Sequence, residues 1–112
     1  MSNSAERVEV TPSGGNVFAD LGLPNADELL VKSRLVIRIR QIIEDRRLTQ
    51  EEAARLVGID QPKISALMRG RLAGYSTDRL LGFLQRLGDD VDIVLRPSQE
   101  AVGHVQVTIA AG

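Results

Sequence analysis

The 112-residue sequence contains no cysteine and no tryptophan, one histidine and one tyrosine, and only 3% aromatic residues overall. Without cysteine there is no disulfide framework and no thiolate metal site, which suits a reducing cytoplasm. A lone histidine, His104, has no partner set for zinc and none of the neighbours that acid–base catalysis needs. Ser65 has no base nearby and no serine lies in a G-x-S-x-G turn. Ser13–Gly14–Gly15 is followed by no G-K-[ST], so it is not a phosphate loop. No apolar run approaches the roughly 18 residues of a membrane helix, and no charged-then-apolar leader opens the chain. These absences argue for a cytoplasmic, non-enzymatic protein with no catalytic residue, metal or cofactor.

At 43% hydrophobic the chain can bury a core, and with so few aromatics that core is aliphatic. The length fits one domain. The net charge of −1 conceals a strong segregation. Residues 1–31 carry one Arg and five Asp/Glu, net −4; residues 32–86 carry twelve Lys/Arg and six Asp/Glu, net +6; residues 87–112 carry one Arg and four Asp/Glu, net −3. A basic middle between acidic ends is the footprint of affinity through phosphate neutralisation.

The basic region contains the most informative stretch, Gln50 to Arg69, QEEAARLVGIDQPKISALMR. Thr49 and Glu52 form the T-x-x-E pattern of a capping box. Gly58 suits the left-handed residue that ends a helix. Asp60 predicts a second N-cap, with Pro62 in the first turn, where a missing N–H is tolerated. Ile64, Leu67 and Met68 then share one face. Ala54 is small enough for a second helix to cross closely. The outward face of the second helix is left with Gln61, Pro62, Lys63, Ser65, Ala66 and Arg69. That face is short, polar and acid-free, and it can enter a major groove about 12 Å wide.

The stretch LTQEEAARLVGIDQPKISALMRG resembles the XRE or Cro/phage-repressor type of helix-turn-helix protein. Taken with NVFADLGLPNADELL, RIRQII and RLLGFLQRLGDDVDIVLRP, residues 16 to 97 are similar to small bacterial HigA-like antitoxin regulators. The resemblance implies a mainly α, lambda-repressor-like bundle of about four to five helices. It also implies that Gln50 holds a phosphate and that Gln61 reads a base or braces Gln50. Lys63 can donate to guanine O6 and N7, while Pro62 and Ala66 can touch a thymine methyl. Arg69 and Arg71 suit phosphate. Pro62 and Ala66 cannot hydrogen-bond through their side chains, so DNA shape is expected to contribute to specificity. The partners implied are double-stranded DNA with a palindromic operator, a second copy of the chain, and a small basic toxin. A plain repressor without a toxin, or a protein-interaction module alone, remain open beside that reading.

Outside the motif, residues 1–15 read as a flexible arm, and Val8 and Val10 could add a strand to a partner. Val17, Phe18, Leu21 and Leu23 are expected to pack on the body, with a short helical turn. Asn25 with Glu28 predicts the start of a long helix whose apolar stripe is Val31, Leu35, Ile39 and Ile42, with Arg34, Arg38, Gln41 and Asp45 on the polar side. Ser76 or Thr77 caps a further helix to Leu87, and Gly82 within it suggests close packing. Residues 16–88 thus form the helical domain. In residues 89–112, alternation at Val91, Ile93 and Leu95 and at Val105, Val107 and Ile109 predicts a β-hairpin available for dimerisation. The acidic pairs Glu51–Glu52 and Asp89–Asp90 are explained by capping and solubility.

Overall fold

Apolar residues recur at helical spacing from Val31 to Ile43, and the first helix, α1, follows them over Ala26–Asp45. The computed structural model of the protein describes residues 7–9, 21–22 and 25–110. Asn25 is the N-cap of α1 by position, but its side chain accepts no capping hydrogen bond. Asp27 and Glu28 in the first turn still complement the positive end of the helix dipole. Val31, Leu35, Val36, Ile39, Ile42 and Ile43 are buried on α1. Arg34, expected on the polar side, is only 2% exposed. It falls one turn after Val31 and so shares the buried arc.

The chain reverses through Arg47, at φ 54°, and enters α2, Gln50–Val57. The capping box forms in full: Thr49 Oγ1 accepts from Glu52 N at 3.0 Å, and Glu52 Oε1 accepts from Thr49 N at 2.8 Å. Gly58 ends the helix at φ 82°, with its N–H donated to Ala54 O. A side chain at that φ is disfavoured, so glycine is the residue the turn requires. The next helix, α3, spans Gln61–Met68, and α4 spans Thr77–Arg86. Ser76 caps α4 by accepting from Arg79 N.

The four helices enclose one aliphatic core. Ile39, Ala53, Ile64, Leu67 and Leu80, one or two from each helix, have no exposed surface. α1 packs mainly on α4, and α2 mainly on α3. Burying a Leu or Ile side chain stabilises by about 1.5–3 kcal/mol, so this shared contact holds helices that are too short to persist alone. An arginine of α1 and the one that caps it also close the carboxyl ends of other helices. Arg40 Nη2 donates to Met68 O at the end of α3, and Arg46 Nη1 donates to Leu87 O at 3.0 Å beyond α4.

Gly82 does not mark a close helix crossing, since a Cβ built there meets nothing within 4 Å. Glycine inside a helix costs about 1 kcal/mol relative to alanine, and no packing contact offsets it here.

The C-terminal region departs from the expected pairing. A strand forms at Thr108–Ala110 (β2), but its partner is Arg7–Glu9 (β1), antiparallel, with Val8 opposite Ile109. Residues 7–9, expected in a flexible arm, are therefore paired. Val91 to Leu95 lie in no strand among the described residues. Val91 and Val107 are half-buried against the helical core, whereas Ile93, Val94 and Leu95 are 73%, 75% and 90% exposed. Alternation reports which faces a strand can offer, not which strand it meets, and β1 already occupies an edge of β2. Of the apolar segment expected to pack before α1, Val17, Phe18 and Leu23 lie outside the described residues, and Leu21 is 71% exposed.

Candidate nucleic-acid interface

The candidate reading surface is built from the inside outward. Ile64 and Leu67 of α3 are fully buried against Ala53, Ala54 and Val57 of α2. That anchoring leaves Gln61, Pro62 and Lys63 exposed at the start of α3, with Ser65 and Ala66 half-buried beside them. Arg69 and Arg71, at and beyond the end of the helix, are also exposed. Gln50 is exposed at the first position of α2. The eight sequence-predicted residues thus fall on α3, the loop after it and the start of α2.

Local hydrogen bonds orient part of this surface. Arg69 Nη1 donates to Ser65 Oγ at 2.7 Å, which lays the guanidinium back along one turn of α3. Asp60 is the N-cap by position, but its side chain makes no capping bond; only its carbonyl accepts, from Lys63 N and Ile64 N. The acid-free face therefore has an exposed carboxylate just before it. At the start of α2 the capping box uses the N–H groups of Thr49 and Glu52. It leaves those of Gln50 and Glu51 with no partner inside the helix, in the first turn, where phosphate is favoured. The two Thr49 hydrogen bonds hold the Glu52 carboxyl below its ordinary value, the backbone one most.

The basic composition overstates what this surface can offer. Of the twelve cations in residues 32–86, four belong to α1 and a fifth, Arg46, is its C-cap, and all five have other roles. Lys32 pairs with Glu28 at 3.4 Å, Arg34 is buried, Arg38 binds Asp89, and Arg40 and Arg46 cap helix ends. Asp89, attributed to solubility from sequence, is thus a structural anion. Arg79 and Arg86 of α4 form a separate basic cluster that sequence reasoning did not single out. Their i, i+7 spacing was the available signal.

Among the described residues no cluster of His, Asp and Glu could hold a metal ion, and no helix is long and apolar enough to cross a membrane. His104 is exposed beside Asp27 and Glu100.

Comparison with known proteins bears on this geometry. A family model described as a helix-turn-helix domain matches residues 17–96. A solved structure described as an XRE family transcriptional regulator is 37% identical, with a TM-score of 0.68; the match covers 80% of this chain and 100% of that one. No curated protein matches. Matched through most of its length in sequence and in fold, the chain belongs to the XRE-type helix-turn-helix family of DNA-binding transcriptional regulators.

Proposed function

We propose that the protein is a sequence-specific repressor that binds a palindromic operator in double-stranded DNA as a homodimer and controls its own promoter in the cytoplasm. The observation that carries this reading is the division of α3: Ile64 and Leu67 are fully buried while Gln61, Pro62 and Lys63 are exposed. A helix held this rigidly presents its outer face without further ordering, as groove reading requires. Gln61 and Lys63 address base edges, Pro62 and Ala66 address thymine methyls, and Gln50, Ser65, Arg69 and Arg71 address the backbone. One subunit supplies one reading helix, and half-sites one DNA turn apart need two. The exposed Ile93–Leu95 segment is the surface offered to the second copy.

The test is a binding isotherm on the upstream promoter over a range of salt. If about four to six phosphates are neutralised per dimer, log K falls with log salt with a slope near −0.9 per phosphate. A flat response, or no complex at low salt, rejects the reading.

A second role, as antitoxin of a type II toxin–antitoxin pair, is supported by the acidic ends of the chain, net −4 and −3. They would steer a small basic toxin away from the reading helix. Co-expression with the adjacent gene product, scored by growth, tests it. A harmless neighbour leaves a plain repressor.

A further inference from the structure

Residues 91–97 lie between α4 and β2, outside any helix or strand. Val91 is half-buried against the helical core and roots the segment on the body, while every residue from Asp92 to Pro97 is exposed. Among the described residues, no backbone group of residues 92–96 takes part in a backbone–backbone hydrogen bond. Open backbone beside exposed apolar side chains is a template for strand addition. Pro97 has no N–H and limits any ladder on its far side. The open stretch is therefore Asp92, Ile93, Val94, Leu95 and Arg96.

These five residues are complementary to their own reversed order. An antiparallel pairing with a second copy, centred on Val94, sets Asp92 opposite the partner's Arg96 and Ile93 opposite the partner's Leu95. Val94 then meets its own copy. Opposite residues share a face of the ribbon. One face carries two Ile–Leu pairs, and the other carries a Val–Val pair between two ion pairs. Both kinds of pair stabilise an antiparallel ladder. Other arrangements lose the match. A parallel pairing in register sets Asp92 on Asp92 and Arg96 on Arg96, like charges directly opposite. A slip of one residue sets either Asp92 opposite Leu95 or Arg96 opposite Ile93. Neither Asp92 nor Arg96 has an ion-pair partner among the described residues, so both charges are available to the contact.

We propose that residues 92–96 pair antiparallel with the same residues of a second copy, about a two-fold axis through Val94, to form an intersubunit β-ribbon. The pairing rests on the homodimer proposed above and specifies its register. A two-fold contact must be self-complementary, with residue i on j and j on i. The order acid, three apolar residues, base meets that condition by itself, which selects a copy of this chain as the occupant. A two-stranded ribbon alone is marginal in water. Here each strand is held at its root by Val91 and by the Arg38–Asp89 pair.

The chain has no cysteine, so introduced thiols report the register without background. Val94→Cys, Ile93→Cys and Leu95→Cys variants of the full chain are oxidised mildly, with light scattering on the parent as the independent measure of dimerisation. Val94→Cys should give a covalent dimer, because directly opposite Cα atoms lie about 4.5–5.5 Å apart, within disulfide reach. Ile93→Cys and Leu95→Cys should each cross-link poorly alone and efficiently when mixed. Asp92→Arg and Arg96→Asp should each weaken dimerisation by about tenfold, and an equimolar mixture of the two should restore it as a heterodimer. A dimeric parent in which Val94→Cys fails to cross-link, or in which mixing the charge variants restores nothing, overturns the register and leaves the homodimer standing on another surface. Cross-linking of Ile93→Cys alone as fast as Val94→Cys overturns it as well. A parent that stays monomeric by light scattering overturns the pairing together with the homodimer.

Discussion

Arg38 and Asp89, 51 positions apart, form a two-pronged ion pair: Nε donates to Oδ2 at 2.7 Å and Nη2 donates to Oδ1 at 2.8 Å. The pair ties the chain leaving α4 to the middle of α1, two residues before Val91 packs on the core. It therefore fixes where the exposed Ile93–Leu95 segment departs from the body. The hydrogen bond to Asp89 is the main cause that raises the Arg38 pKa, against the opposing effect of burial. Both side chains keep about a quarter of their surface exposed, 27% and 23%, so solvent screens part of the interaction. Asp89→Ala should lower the unfolding free energy by about 1–2 kcal/mol. Urea denaturation checks this, and an unchanged midpoint would make the pair an ordinary surface contact.

The exposed Ile93, Val94 and Leu95 are the proposed contact between copies. Ile93→Lys with Leu95→Lys places two like charges in that contact and should yield a monomer with an intact helical spectrum. Operator affinity should fall by at least about tenfold because one reading helix is lost per complex. Light scattering at several concentrations decides. A double variant that stays dimeric would move the interface to the helices, where Ile37 is the exposed apolar residue of α1.

Lys63 and Arg71 should separate specificity from general affinity. Lys63→Ala is expected to narrow the gap between operator and random DNA by about 1–3 kcal/mol. Arg71→Ala should weaken both about equally and reduce the salt slope by about one phosphate. Competition titrations at two salt concentrations measure both effects. The opposite pattern would mean that α3 enters the groove in another orientation.

Thr49 closes both halves of the capping box. Thr49→Ala should cost about 1 kcal/mol, read by thermal or urea unfolding. The Glu52 carboxyl is held low in the folded state. Its contribution is therefore present above the ordinary carboxylate value and is lost as pH falls through the folded value. In Thr49→Ala the backbone N–H at position 49, the largest cause, remains, so the Glu52 titration followed by NMR should move only part of the way back up. An unmoved titration would show that the backbone N–H alone depresses it.

His104 links the C-terminal segment to the start of α1. Its Nδ1 lies 3.3 Å from Asp27 Oδ2, and its Nε2 lies 3.6 Å from Glu100 Oε1. The contact with Asp27 is the largest cause that raises its pKa, followed by the charge of Glu100. A raised folded value means that the contribution is fully present below the ordinary histidine value and is lost as pH rises through the folded value. In Asp27→Asn the His104 ring signals should titrate at lower pH than in the parent. Equal midpoints would show that the contact does not persist in solution.

The helices and the exposed face of α3 were legible in the sequence because their determinants are local. The Thr49–Glu52 capping box, the left-handed Gly58 and the spacing of Ile64 and Leu67 each act within one or two helical turns. The same local logic placed Gln61, Pro62 and Lys63 on the outside. It reached the limit of its range with charge and with strands. Arg40 meets Met68 O across 28 positions, Arg46 meets Leu87 O across 41, and Arg38 meets Asp89 across 51. Composition alone cannot distinguish such cations from those free to meet phosphate. Strand alternation likewise marks a face, while the pairing of Val8 with Ile109 depends on which segments the helical body brings together. Caps and amphipathic spacing are encoded within a few residues, whereas ion-pair partners and strand partners are chosen by packing, which is why only the tertiary structure could assign them.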